Sequence, residues 1–247
     1  MRLTLGPSSL KTELDFTIFQ TNGIVKLTAG RAGYFDKIGL NFSGGPDSVA
    51  LLCLILSELH RIGKLGTISV VCFTVIKNDG ATYYATRALE KIKLHFGCEI
   101  EHVNNIPNPA FNVLPSYFED EVMLNIVGMK ENMILYSGMN LPPTANLLDL
   151  APSSTHLNQE FALENRIVAP FYTMHKPQIL DILYSLGCEH LLPYTHSCIM
   201  QAVGSCGKCF SCQERAWGFR ELNKVDPGTI EPTVSDISYG DTWDSSK

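Results

Sequence analysis

Apolar positions along the chain change period at a few well-marked points. Ile38, Leu40 and Phe42 alternate with other residues, the two-residue period of a short half-buried strand. Immediately afterwards Val49, Leu52, Cys53, Leu56 and Leu59 recur at three- and four-residue steps, which predicts a helix to about Ile62 with one core-facing stripe. Ile68 to Val75 is rich in β-branched residues and reads as a strand buried on both faces, as in a parallel sheet. Ala85, Leu89, Ile92 and Phe96 share one face of a helix over 82–96, which Gly97 is placed to stop. A strand near 99–103, a Pro- and Asn-rich loop from Asn104 to Pro115, a helix near 117–129 and a strand over 133–137 follow. Beyond a second loop at 141–158 come the apolar stretch Arg166 to Pro170 and a helix from Pro177 to Leu186 with proline in its first turn. Upstream, residues 14–29 read as a β-hairpin, with Leu14, Phe16 and Ile18 alternating before the turn Thr21-Asn22-Gly23.

Strands alternating with helices predict an α/β protein with a doubly wound, mostly parallel sheet, and ligands of such sheets bind beyond the carboxyl ends of the strands. The expected organisation is an N-terminal extension with a β-hairpin over 1–37, a nucleotide-binding α/β domain over 38–187, a helical cysteine-bearing region over 188–224 and a flexible acidic tail over 225–247. The 247-residue chain, 45% hydrophobic and 18% charged, is ordinary for a globular protein. Its net charge of −6 argues against broad nonspecific binding to nucleic acid. No apolar run approaches the roughly 18 residues of a membrane span, and Met1 to Pro7 lacks a signal peptide's apolar region, so the expected location is the cytoplasm.

Two stretches carry chemistry. Ser43-Gly44-Gly45-Pro46-Asp47-Ser48 lies between the first core strand and its helix. The glycines admit a ligand close to the backbone, the first-turn N–H groups lack helical partners, and the helix dipole favours an anion there. Ser43 and Ser48 add hydroxyl donors, and Asp47 beside a polyphosphate calls for Mg²⁺ between them. The second stretch gathers four of the eight cysteines, Cys198, Cys206, Cys209 and Cys212. A Cys-x2-Cys-x2-Cys knuckle with a fourth thiol upstream fits a closed tetrahedral shell, which favours structural zinc, with an iron–sulfur cluster and a redox pair as the other readings.

The first stretch is similar to the Ser-Gly-Gly-x-Asp-Ser/Thr signature of the PP-loop ATP pyrophosphatases, the adenine nucleotide alpha hydrolase-like proteins. With Cys206-Gly-Lys-Cys209-Phe-Ser-Cys212-Gln-Glu-Arg215, Ala169-Pro170 through Lys176, and Tyr136-Ser137-Gly138-Met139-Asn140, the chain resembles the QueC-like 7-cyano-7-deazaguanine synthases over about residues 38–222. The resemblance implies an ATP-dependent carbon–nitrogen ligase in queuosine biosynthesis. It would convert 7-carboxy-7-deazaguanine and ammonia to the amide or nitrile through an acyl-adenylate, releasing AMP and pyrophosphate. ATP would sit on Ser43, Gly44, Gly45, Pro46, Asp47 and Ser48, with Asp47 and Lys176 catalytic, and the resemblance also suggests a homodimer. Against a catalytic Lys176 stands a solvated lysine just before a helix. Residues 76–82 and 113–118 depart from the family pattern, and the N-terminal hairpin is additional. Two other functions therefore stand beside the first: adenylation of another carboxylate, or coupling of a deazaguanine to a macromolecule through the extension; and a zinc-stabilised nucleotide-sensing module without turnover. Arg166 is a further candidate for a carboxylate, while His102, His156 and His196 read as surface or core residues rather than catalysts.

Overall fold

A computed structural model describes residues 1–16, 18–21, 24–27, 32–34, 37–75, 80–106, 133–141, 143 and 167–230. Its centre is a five-stranded parallel sheet of β6 (Lys37–Asn41), β7 (Ser69–Val75), β8 (Glu101–Ile106), β9 (Met133–Tyr136) and β10 (Ile167–Val168), in the order β10-β9-β6-β7-β8. The chain starts in the middle at β6, steps outward through β7 to β8, and then returns to the other side for β9 and β10. This reversal makes the sheet doubly wound and puts its switch point between β6 and β9. Residues at successive positions face opposite sides, as a strand's period of two requires. Ile38, Leu40, Val70, Cys72, Ile134 and Tyr136 enter one apolar cluster, and Val71, Phe73, Val75, Met133 and Leu135 enter another. Burial of β7 from Val70 to Val75 matches the β-branched pattern of its sequence.

The larger cluster is covered by α1 (Pro46–Arg61), α2 (Ala81–Phe96) and α3 (Lys176–Ser185), while α4 (Phe210–Glu221) packs on α3. Gly97 closes α2 in a left-handed conformation, φ +61°, as its position predicts. The single stripe expected on α1 is a correction. Ala50, Leu51, Leu54 and Ile55 are as fully buried as Val49, Leu52 and Cys53, because α1 is enclosed by the sheet on one side and α3 on another.

The N-terminal extension contains more strand than the sequence pattern suggests. A first hairpin pairs β1 (Arg2–Leu5) with β2 (Thr12–Asp15), and β3 (Ile18–Thr21), β4 (Ile24–Leu27) and β5 (Ala32–Tyr34) form a second antiparallel sheet. The expected hairpin is the β3–β4 pair, whereas Leu14 belongs to β2. The first hairpin is joined to the body: Leu5 and Phe16 are buried in the main core, Gly6 N–H donates to Asp181 Oδ2 at 2.8 Å, and Gln178 Nε2 donates to the Leu10 carbonyl at 2.7 Å. At the other end, the first residues of the expected tail are tied down. Arg215 grips Asp226 through Nε and Nη2 at 2.8 and 2.9 Å, Thr229 Oγ1 donates to the Thr195 carbonyl, and Ile230 N–H donates to the Pro193 carbonyl. The expected loop start at Asn104 is a correction, since Asn104 to Ile106 continue β8 in its pairing with β7, while residues 107–132, with the helix near 117–129, residues 144–166 and residues 231–247 lie outside the described residues.

At the carboxyl edge of the sheet, β7 and β8 fix where the Ser-Gly-Gly loop begins. Phe42 N–H donates to the Phe73 carbonyl at 2.7 Å, and Thr74 Oγ1 donates to the Phe42 carbonyl at 2.6 Å. Because that hydroxyl proton is committed, the 2.9 Å contact from His102 Nε2 to Thr74 Oγ1 requires Nε2 to carry the proton of a neutral imidazole. Burial, helped by Lys93, pushes the His102 pKa down to about 4. In the unfolded chain it returns to about 6.5, so the unfolded state takes up the proton first as pH falls. Stability from this residue is present above about pH 6.5 and is lost toward pH 4. Denaturant titrations of His102→Gln between those limits are expected to show a shallower acid loss than the wild type.

Candidate active site and cysteine knuckle

The Ser43–Ser48 loop leaves β6 at the switch point and runs directly into α1. Gly44 has φ +75°, and a Cβ there would lie 2.5 Å from the Ala85 nitrogen and 2.8 Å from the Tyr84 carbonyl carbon. Glycine is therefore required both for the left-handed backbone and for backbone-to-backbone contact with α2. The turn is closed from within: Gly45 N–H donates to Ser43 Oγ at 3.3 Å, and Ser48 Oγ donates to the Gly45 carbonyl at 3.0 Å. It is closed from outside by His196, whose N–H donates to the Gly44 carbonyl at 3.1 Å and whose ring stacks on Tyr84 at 4.2 Å. The residue at the N-cap of α1 is Gly45, with no side chain to cap the helix, so the first-turn amides face the loop without a built-in oxygen acceptor.

Asp47 and Lys176, 129 residues apart in sequence, form an ion pair at the head of α1. Lys176 begins α3 and is only 4% exposed, so the solvated lysine of the alternative reading is not what the fold builds. The other end of its ammonium meets Glu214 Oε2 at 3.0 Å, and Glu214 Oε1 accepts from Asn140 Nδ2 at 2.8 Å. Asn140 comes from the segment after β9, the neighbouring strand across the switch point. Burial pulls the Lys176 pKa down, but the Asp47 and Glu214 carboxylates outweigh it and hold it above the usual lysine value. For Asp47 burial is the larger influence and raises the carboxyl above the usual range, with Lys176 pulling it partly back. Among the described residues, the buried Asp47 Oδ1 has no hydrogen-bond partner. A buried carboxylate oxygen left over after its lysine is served, at a helix N-terminus lined by amides, suits a divalent cation that would also meet phosphate oxygens.

The four cysteines of the second motif come together with their sulfurs all within 4.8 Å of one another. A tetrahedral shell with metal–sulfur bonds of about 2.3 Å has sulfurs about 3.8 Å apart, and Cys206 and Cys212 Sγ are 4.0 Å apart. Cys198, Cys209 and Cys212 are buried, and all four are unpaired thiols rather than disulfides. The Cys206 sulfur accepts from the Lys208 and Cys209 N–H groups at 3.4 and 3.3 Å, which lowers its pKa to about 6 and favours the thiolate that a metal needs. Ser205 Oγ donates to Cys212 Sγ at 3.1 Å. These residues fit a metal held by four protein ligands, with no position left open for a substrate.

The knuckle is adjacent to the loop, not remote from it. Cys198 follows His196, which pins Gly44, and Cys209 and Cys212 form the start of α4, which carries Glu214 to Lys176. Of the residues named from sequence, the structure thus unites Ser43 through Ser48 with Lys176, and gathers the four cysteines beside them. Arg166 and His156 lie outside the described residues, as do 76–79 and 113–118. His102 is hydrogen-bonded to Thr74 under the loop, and His196, expected to be a plain surface or core residue, closes the loop through Gly44. Glu214 and Asn140 are additions. Both stand inside segments quoted for the family resemblance, yet nothing local marks them as site residues. Only the step from Glu214 to Gly218, one helical turn on the same face, hints that α4 covers something bulky.

A family model described as the queuosine biosynthesis protein QueC matches residues 148–223. The 7-cyano-7-deazaguanine synthase of Pseudoalteromonas atlantica is 26% identical over 224 residues, covering 78% of this chain and 97% of that protein. The corresponding synthase 1 of Colwellia psychrerythraea is 24% identical over 221 residues, covering 78% and 97%. Among solved structures, NMN synthetase from Francisella tularensis aligns with a TM-score of 0.46 and 12% identity over 77% of this chain and 79% of its own. Loop, knuckle and sequence likeness agree: the chain resembles the QueC-like 7-cyano-7-deazaguanine synthases along nearly the whole length of these two relatives.

Proposed function

We propose that the protein is a QueC-like ligase that joins ammonia to 7-carboxy-7-deazaguanine at the cost of ATP cleaved between its α- and β-phosphates. The observation that carries this reading is the meeting of Lys176 with Asp47 at the amide-lined head of α1. It supplies a fixed cation, a free carboxylate oxygen and a polyphosphate cradle in one place.

In this reading the Gly44–Ser48 backbone and the Ser43 and Ser48 hydroxyls hold the β- and γ-phosphates. Asp47 would hold Mg²⁺ through the oxygen that Lys176 leaves unserved, and the ion would supply charge neutralisation between carboxylate and phosphate. The substrate carboxylate attacks the α-phosphorus, the bond to the β-phosphate bridging oxygen breaks, and Lys176 is placed to meet charge gathering on the departing pyrophosphate. Ammonia then attacks the acyl carbon of the adenylate and displaces AMP, giving the amide. A second adenylation on the amide oxygen followed by loss of AMP gives the nitrile. The four cysteines would hold zinc as a structural centre that fixes α4 and the His196 segment around the loop.

Incubation with ATP, Mg²⁺, ammonia and 7-carboxy-7-deazaguanine is expected to yield AMP, pyrophosphate and the nitrile, followed by chromatography and product mass. AMP that appears only with another carboxylate or with a macromolecular acceptor would replace the substrate assignment, and nucleotide binding without any turnover would replace the enzyme. Asp47→Asn is expected to lower AMP formation by about a hundredfold or more while the folded protein persists. Cys209→Ser is expected to lose the one zinc per chain measured by elemental analysis and to lower the melting temperature, because the metal anchors the first turn of α4.

A further inference from the structure

The helix that follows the knuckle is shaped around one side chain. Glu214 on α4 is 4% exposed and touches the Lys176 ammonium at 3.0 Å. One turn on, Gly218 lies over the Lys176 stem: a Cβ there would come within 2.8 Å of Lys176 Cγ and 2.8 Å of Leu180 Cδ1. Glutamate at the head and glycine at the stem, four residues apart on one helix face, make α4 a cradle for a single lysine. Glu214 is itself held by Asn140 at 2.8 Å, and α4 is fixed at its start by Cys209 and Cys212. Arg215, its neighbour, takes no part in holding Lys176, since its guanidinium is spent on Asp226, Thr195 and the Gly228 carbonyl.

This arrangement answers a difficulty in the adenylation reading, on which the inference rests. Asp47 has to serve Mg²⁺ and the polyphosphate through Oδ1 while Oδ2 faces the lysine, so a buried lysine with Asp47 as its one partner would share that carboxylate with a divalent cation. We propose that Glu214 is the positioning residue that keeps Lys176 in place when the Asp47 carboxylate is shared with Mg²⁺. The two carboxylates divide the work: Asp47 serves the ligand, and Glu214 serves the lysine. Glu214 touches no reacting atom and acts through Lys176 alone.

Two measurements test this. In nucleotide-free protein, acylation of Lys176 by an amine-reactive ester is quantified by peptide mass spectrometry. Asp47→Asn removes the Asp47 charge from the lysine and is expected to leave Lys176 as protected as in the wild type, whereas Asp47→Asn with Glu214→Gln is expected to raise its labelling about tenfold or more. Full labelling in Asp47→Asn alone, or continued protection in the double variant, would overturn the proposal. In turnover assays Glu214→Gln is expected to lower kcat about ten- to a hundredfold with KM for ATP changed less than about threefold, and zinc content unchanged in a chain that stays folded at the assay temperature. In a Lys176→Met background the same substitution is expected to change kcat by less than about twofold, since one pathway cannot be lost twice. A further loss there, or a kcat loss that tracks loss of zinc, would show Glu214 to be structural. Absence of AMP formation by the wild type is a different result, because it removes the adenylation reading and leaves the labelling experiment to report on the lysine by itself.

Discussion

A lysine ammonium with almost no access to water is the constraint around which this molecule is arranged. A buried charge is tolerated only with close counter-charges, and removing one partner of such a pair costs about 3–5 kcal/mol. Lys176 has two partners, and they come from different parts of the chain. Asp47 belongs to the loop and helix after the first core strand, and Glu214 belongs to the helix after the cysteine knuckle. The ion pairs therefore do in the interior what a linker cannot do at the surface: they set three helices at one distance from one point. The apolar core provides the bulk of the attraction, but it has no preference for one residue of α3 over the next. The charges supply that choice.

How far the sequence led depended on how local each signal was. The strand, loop and helix at 38–61 are readable because the two-residue period gives way to a helical one within a few residues, and the glycines mark the change. The cysteines are readable because their spacing matches a metal's geometry without reference to the rest of the chain. Burial all around α1 was hidden, since an apolar stripe looks alike whether or not a second layer covers the opposite face. The β1–β2 hairpin was hidden too, because four-residue strands carry little periodicity and their docking depends on Asp181 and Gln178, far along the chain. Glu214 shows the same limit most sharply. Its position next to a metal ligand says nothing about a lysine 38 residues upstream; contact between α3 and α4 supplies that link.

The knuckle accordingly has more to do than hold its own residues together. It borders the Ser43–Ser48 loop through His196 and Gly44, and it borders the lysine through α4. Asp226 reinforces the same helix from behind by neutralising Arg215, which would otherwise be a second buried cation without a carboxylate. Cysteines, helix and ion pairs form one continuous support.

The 129 residues between Asp47 and Lys176 bear on how the protein is made. During synthesis the loop emerges first, and Asp47 at the head of α1 is at ease there because a carboxylate complements the helix dipole. The nascent chain thus displays the first-turn amides of α1 for a long interval before the lysine arrives, and longer still before the cysteines and Glu214 secure it. An unfinished copy offers those amides without the fixed positive charge beside them. The site is complete only when the late half of the chain has met the early half.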